Sequence, residues 1–459
     1  MARLWPSSSA AATTQRLPLS YRPHRCSAPL PPRAPHRNGS REHHMASVTT
    51  ARHVHVEGLQ TALPTRKVEP GLARPVSVAA PPLTAAALQR RTRVVLYYRA
   101  NGEGEAWGQE EALLVKESLS EAVADHPEMA GRLRRRGGGG DGSSWEVKLN
   151  DTGVRLVLAT VEASVDDFIA GGGGQEGRLD AALAPWTDVD AEDPDMSALC
   201  FVQNARDRCR GGNRKLEVHR SPRTVLTCCC LPLLFVQLTR FQGDGGYAVG
   251  VSCSLMLCDP LSLARFLLSW ASTHAKIKAQ NKATPIPMMQ YAGYFQRPGV
   301  MTRRVRSIPL DTFATTNAAT GTVLFRATGG KALDDHRALA RACADEASER
   351  LGVAKQQVPR RLALVVVARD GVGGNPRGMS VETCAAAEGH PPVVSGGGGG
   401  GGHELEVAQW EDLGLEEFKL RESKPVHVSY SIVTGADDDE GLVVVVPDGK
   451  GFLTEKLSM

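Results

Sequence analysis

An α/β fold with mixed sheets is what this chain of 459 residues predicts, and three features carry the prediction. Residues 93–99 (Arg-Val-Val-Leu-Tyr-Tyr-Arg) are β-branched and aromatic and read as a strand. Residues 109–124 follow with Leu113, Leu114, Leu119 and Val123 close to i, i+4 spacing, the pattern of an amphipathic helix. The second half repeats the mixture, with strands expected at 361–368, 426–433 and 441–446 and a helix at 333–350. Between them come a turn-rich exit at 125–133, a glycine loop at 137–140 and a pair of strands around 145–161. The glycine runs at 137–140, 171–174 and 396–402 lack a following Gly-Lys-Ser or Gly-Lys-Thr, so they read as surface insertions rather than phosphate loops. At roughly 100–200 residues per domain the length allows two to four domains, and the polar, proline-containing stretch 275–310 is the expected connection between an N-terminal part, 45–274, and a C-terminal part, 311–459.

Composition narrows the function classes. Hydrophobic residues make up 42% and charged residues 23%, which excludes global disorder. The net charge of +4 is concentrated: residues 1–44 hold seven arginines against Glu42, and residues 204–237 hold seven Lys and Arg against Asp207 and Glu217, so the remaining 381 residues sum to −7. No folded-looking stretch spreads cations between stacking aromatics, and a nucleic-acid partner is not expected. Five of the ten cysteines fall in those two basic segments, no pair has metal-ligand spacing with a second pair behind it, and the others read as buried, reduced thiols; no metal site is expected. Segment 1–44, rich in Arg, Ser, Ala and Pro, has the composition of an organelle transit peptide, which would imply a plastid. The preferred reading makes it a non-structural extension upstream of a start at Met45, because everything recognisable comes later. No run reaches the roughly 18 apolar residues of a membrane span; the best candidate, 224–237, is interrupted by Pro232.

The most informative stretch runs from Gly246 to Ser262: a strand, a tight turn around Leu255-Met256-Leu257-Cys258, and a helix with Asp259 as N-cap and Pro260 at its first position, continuing to about Trp270. This stretch resembles the plant BAHD acyltransferases, in which a strand ends in His-x-x-x-Asp and a helix follows. In that family the His deprotonates an acceptor hydroxyl or amine that then attacks an acyl-CoA thioester, and the Asp shapes the loop. Here Asp259 matches the Asp and Leu255 stands where the His belongs, and leucine accepts no proton. Cys253 and Cys258 lie nearby without a local cation to activate them, and His126 or His427 would have to come from elsewhere.

Further motifs support the resemblance. Pro127–Leu133 matches a Pro-x-x-Ala-Gly-Arg-Leu element through Gly131 and Arg132, and 150–155 resembles the beginning of the family's next strand. Of the family's Asp-Phe-Gly-Trp-Gly-Lys-Pro loop, the aligned residues 419–425 keep only Lys424 and Pro425. The joint loss looks like the Eceriferum/Glossy-type branch, whose members are implied to promote elongation of very-long-chain fatty acids for cuticular wax beside the elongase condensing enzyme, without needing the histidine. The resemblance implies a two-domain chloramphenicol-acetyltransferase-like fold, a channel lined near Ser252, Ser254 and Leu255, and acyl-CoA or a long acyl chain as ligand. It also implies a monomer that is cytoplasmic or peripheral to the endoplasmic reticulum. The alternative is an active acyl-CoA-dependent O- or N-acyltransferase of specialised or hormone metabolism with an unidentified base.

One segment interrupts the resemblance. Leu199-Cys200-Phe201-Val202-Gln203 and Leu233-Leu234-Phe235-Val236-Gln237 are near-duplicates, and family members run directly from one such strand into the equivalent of Leu238-Thr239-Arg240-Phe241. Residues 204–237 therefore read as an insertion, in origin a retained intron.

Overall fold

The computed structural model describes residues 52–78, 83–100, 109–136, 144–149, 153–170, 176–187, 189, 234–283, 306–313, 322–328, 336–352, 361–369, 376–385, 404–420, 423–435, 440–447 and 452–457. Along the chain these form β1 (His53–Ala62), β2 (Ala73–Val78), α1 (Ala85–Leu88), β3 (Arg91–Tyr98), α2 (Gln109–Asp125), β4 (Arg132–Arg135), β5 (Ser144–Lys148), β6 (Val154–Val161), α3 (Val165–Ala170), α4 (Glu176–Leu183), β7 (Leu234–Phe241), β8 (Tyr247–Ser254) and α5 (Pro260–Ala283). The C-terminal part adds β9 (Arg306–Pro309), β10 (Thr322–Thr328), α6 (His336–Arg350), β11 (Arg361–Arg369), β12 (Pro376–Ala385), β13 (Glu404–Ala408), β14 (His427–Val433), β15 (Glu440–Pro447) and β16 (Phe452–Leu457). The protein is mixed α/β, as its sequence predicts.

Two mixed sheets organise it. The seven-stranded sheet has the order β14-β3-β8-β7-β6-β1-β9, antiparallel except for β6 beside β7. The nine-stranded sheet has the order β13-β10-β16-β15-β11-β12-β2-β5-β4, with parallel pairs β11·β15 and β12·β2. β8 is buried at all eight positions, which is why its sequence, Tyr-Ala-Val-Gly-Val-Ser-Cys-Ser, shows no polar alternation. One face of the seven-stranded sheet packs on α2 and α5 through Leu119, Val123, Phe266 and Trp270, in a core that continues into Val365 and Val444 of the nine-stranded sheet. The other face packs on α3 and α4 through Tyr97, Phe168 and Phe241. A third cluster seats α6 on β11 and β15 through Leu339, Cys343, Leu364 and Val443.

The two sheets exchange strands. β14 crosses into the seven-stranded sheet beside β3, and β2, β4 and β5 cross into the nine-stranded one, so no cut within 275–310 separates them. Residues 50–459 form one compact unit. The buried ion pair between Arg90, just before β3, and Glu440, opening β15, ties the sheets together, with Thr383 Oγ1 also donating to Glu440 at 3.3 Å.

Several local expectations need correction. The strands near 145–161 do not pair with each other: β5 joins β2 and β4, whereas β6 joins β1 and β7. Gly153 between them has φ +77, and a Cβ there would lie 2.3 Å from Ala62 O, so the chain turns sharply against β1 instead of forming a hairpin. Helix α5 runs on past Trp270 to Ala283, because Ala271–Lys282 contains no Gly or Pro and its buried face continues through Ala271 and His274. The expected connection 275–310 thus begins inside a helix and ends in β9; residues 284–305 lie outside the described ones. Of the expected insertion, 234–237 are the first residues of β7, paired with β6 and β8, and 204–233 lie outside the described residues together with 1–44, 199–203 and the glycine runs.

Candidate functional site

The strand–turn–helix unit around Leu255 is built as its residue types dictate. β8 ends at Ser254, Leu255 N donates to Arg90 O at 3.0 Å, and the turn closes when Leu257 N and Cys258 N both donate to Ser254 O. Met256 N donates to Ser254 Oγ at 3.2 Å, so that hydroxyl is engaged inside the turn. Pro260 then opens α5, where its missing N–H costs nothing. Asp259 caps the helix: its Oδ1 accepts from Ser262 N at 2.8 Å, its Oδ2 accepts from Ser262 Oγ at 2.6 Å, and its own carbonyl accepts from Leu263 N. Such a cap contributes roughly 0.5–2 kcal/mol. A serine three residues after the aspartate of Asp-Pro is the sequence signal for this second anchor.

Leu255 offers no proton acceptor, and both carboxylate oxygens of Asp259 are engaged by Ser262. Leu255 is 1% exposed and packs in the core shared with α2 and α5. Cys258 Sγ lies 3.3 Å from Cys253 Sγ, and the hydrogen bond with Cys253 together with burial pushes the Cys258 thiol well above its usual pKa, away from the nucleophilic thiolate. Ser252 is buried and donates to Ala184 O at 2.9 Å. His126 does not reach the turn; its ring sits edge-on to Phe266, pairs with Glu128 at 3.4 Å and meets Ser269, ten residues or ~15 Å along α5 from Asp259. The hydrogen bond to Glu128 raises its pKa. His427 packs on Tyr97 at 5.7 Å in register with Ala248, seven residues or ~23 Å along β8 from Leu255.

Two buried polar residues, one beside the turn and one farther along α5, carried no sequence signal. Arg74 on β2 is 5% exposed, its three guanidinium nitrogens have no hydrogen-bond partner among the described residues, and burial lowers its pKa against the compensating field of Cys258, Glu128, Asp259 and Cys253. His274 on α5 lies in a buried chain in which Trp270 Nε1 donates to Ser118 Oγ at 3.0 Å and Ser118 Oγ lies 3.0 Å from His274 Nδ1. The backbone of Leu420 acts on His274 in the direction that raises its pKa. Desolvation brings the His274 pKa down to about 4.

The remaining motif residues sit at turns and strand ends. A Cβ on Gly131 would lie 2.5 Å from Val147 Cγ1 and 2.8 Å from Glu128 O, so only glycine fits where the 127–130 turn meets β5. Arg132 begins β4 opposite Lys148. Lys424 makes an exposed ion pair with Glu417, and after Pro425 the N–H of Val426 donates to Tyr97 O at 2.7 Å, which docks β14. No cluster of three or more metal-ligating side chains occurs among the described residues, and none of their helices is long and apolar enough to cross a membrane.

A family model described as "Transferase: Transferase family" matches residues 217–322. The match spans the Leu255–Asp259 turn. No curated protein matches the chain. Among solved structures, vinorine synthase is 15% identical, covering 88% of this chain and 94% of its own with a TM-score of 0.37. TRI101 of F. graminearum complexed with ethyl coenzyme A is 14% identical, covering 84% and 95% with a TM-score of 0.34. TRI101 of F. sporotrichioides complexed with coenzyme A and T-2 is 14% identical, covering 82% and 93% with a TM-score of 0.35. The chemistry of those proteins is theirs.

Proposed function

We propose that the chain is a BAHD acyltransferase-like protein of the Eceriferum/Glossy type that promotes very-long-chain fatty-acid elongation for cuticular wax without itself catalysing acyl transfer. It works in the cytoplasm at the endoplasmic-reticulum surface, as a monomer beside an elongase condensing enzyme, and its ligand is a long acyl chain or acyl-CoA. The observation that supports this is the turn itself. Leu255 is buried where the family places its base, and both carboxylate oxygens of Asp259 accept from Ser262. General-base catalysis needs a basic atom within about 3 Å of the proton it takes; Leu255 supplies none, and the Asp259 carboxylate is taken up by Ser262. Co-expression with a plant condensing enzyme in yeast tests the reading: longer acyl chains than the condensing enzyme alone produces are expected, and unchanged chain lengths would remove it.

A second reading, an active acyl-CoA-dependent O- or N-acyltransferase of plant specialised or hormone metabolism, is favoured by the Transferase-family match over the motif. Acyl transfer from CoA by the purified protein would establish it instead.

A further inference from the structure

The edge of the seven-stranded sheet brings together a serine, a histidine and a glutamate that the function proposed above does not use. His55 on β1 is 4% exposed, and both its ring nitrogens are engaged: Nδ1 lies 2.7 Å from Ser307 Oγ on β9, and Nε2 lies 2.9 Å from Glu162 Oε1, just after β6. A carboxylate only accepts, so in the neutral ring Nε2 carries the proton and Nδ1 accepts from the Ser307 hydroxyl. The strand register sets this up. Leu310 N donates to Arg52 O, and Pro309, opposite His53, has no N–H to give, so the backbone-bonded pairs are Arg52 with Leu310, Val54 with Ile308 and Val56 with Arg306. His55 and Ser307 therefore form a non-bonded pair, with Cα atoms about 4.5 Å apart and side chains on one face. The N–H of Ser307 points away from β1, toward the edge where β9 pairs with no other described strand. Ser307 is exposed, whereas the imidazole it meets is buried.

An exposed hydroxyl, a base that takes its proton and a carboxylate that orients the base are the parts of a serine hydrolase. We propose that Ser307, His55 and Glu162 hydrolyse small neutral esters. Ser307 Oγ attacks the ester carbonyl carbon and passes its proton to His55 Nδ1, and the carbonyl oxygen, now negative, accepts from Ser307 N–H. The bond to the leaving oxygen breaks, the alcohol departs with the proton from Nδ1, and Ser307 is left acylated. Water then attacks the acyl carbon and gives a proton to Nδ1; the bond to Oγ breaks, and Oγ takes that proton back as the carboxylic acid leaves. Glu162 is a positioning residue that holds the ring through Nε2 and balances the imidazolium. The open edge suits a short acyl group. Glu57, whose carboxylate accepts from Thr160 opposite His55, adds a second negative charge on that face and disfavours polyanionic CoA thioesters. β6 and β7 separate β1 from β8, which leads into Leu255, so the site stands independently of the function proposed above.

Hydrolysis of p-nitrophenyl acetate by the full-length protein tests the proposal, with acetyl-CoA as the contrasting donor. Multiple turnovers of the nitrophenyl ester, no hydrolysis of acetyl-CoA above background, and an acetyl group on Ser307 in peptide mass spectra after rapid acid quench are expected. Ser307→Ala, exposed on an edge strand where folding is not at risk, is expected to lower kcat/KM at least tenfold, and Ser307→Cys, which keeps a nucleophile, to retain acylation at that position. Glu162→Gln should lower kcat at least threefold with KM unchanged. No turnover by the wild type, turnover unchanged in Ser307→Ala, acetyl groups only on other residues, or Ser307-dependent hydrolysis of acetyl-CoA would overturn it.

Discussion

The buried histidine on α5 makes the pH dependence of stability a quantitative test. His274 is 3% exposed, and its pKa falls to about 4 because burial penalises the imidazolium, Lys278 adds to the depression, and the Leu420 hydrogen bond and Glu111 oppose it. In the unfolded chain the ring titrates near its ordinary value of about 6.5. Between those values the unfolded state binds a proton that the folded state refuses, so stability is lost as pH falls from about 6.5 and the loss saturates near 4. At about 1.4 kcal/mol per unit, the loss by pH 4.5 is about 2 to 3 kcal/mol, a large part of a domain's margin. Carboxylates titrate in the same window, so the comparison must be differential. Glutamine can hydrogen-bond Ser118 Oγ but does not titrate, so His274→Gln keeps that contact and removes the proton linkage. Urea midpoints at pH 7.5 and 4.5 should show the stability gap between wild type and His274→Gln shifting by about 2 to 3 kcal/mol in favour of the variant at the lower pH. A gap that stays constant would mean that the ring titrates alike in both states, and the burial argument would fail.

Two further outcomes follow from the motif and the duplicated strand. Asp259→Asn should be milder than Asp259→Leu in soluble yield and urea midpoint, because Asn still caps while Leu cannot accept from Ser262, a difference of about 0.5 to 2 kcal/mol; equal losses would argue against capping. Deleting 204–237 brings Cys200-Phe201-Val202-Gln203 into the register of Leu234-Phe235-Val236-Gln237, so the only change inside β7 is Leu234 to Cys, costing about 1 to 3 kcal/mol; a shortened chain that unfolds cooperatively is expected, and an insoluble one would show that 204–233 is needed for folding.

The parts of the fold that were legible in the sequence are those fixed by local chemistry. Asp259-Pro260 announces a helix start because an N-cap oxygen and a prolyl φ angle are properties of those residues alone. The strands at 361–368, 426–433 and 441–446 matched β11, β14 and β15 because runs of β-branched residues have few other uses. Partnership was not legible. Nothing in Ser144–Lys148 says that it pairs with Ala73–Val78 rather than with Val154–Val161; tertiary packing decides. Arg74 and His274 were silent for the same reason: each is a lone polar residue in an ordinary-looking element, and only the approach of β2 to the turn and of Leu420 to α5 gives it meaning.

The central claim is that the turn from Leu255 to Asp259 shapes the protein without transferring an acyl group. Release of free CoA from saturated and hydroxycinnamoyl acyl-CoA donors by the purified protein, measured with a thiol reagent in the presence of alcohol and amine acceptors, tests that claim most directly. The rate should equal that of uncatalysed thioester hydrolysis for every pair. Acceptor-dependent CoA release above that background, with multiple turnovers, would contradict it.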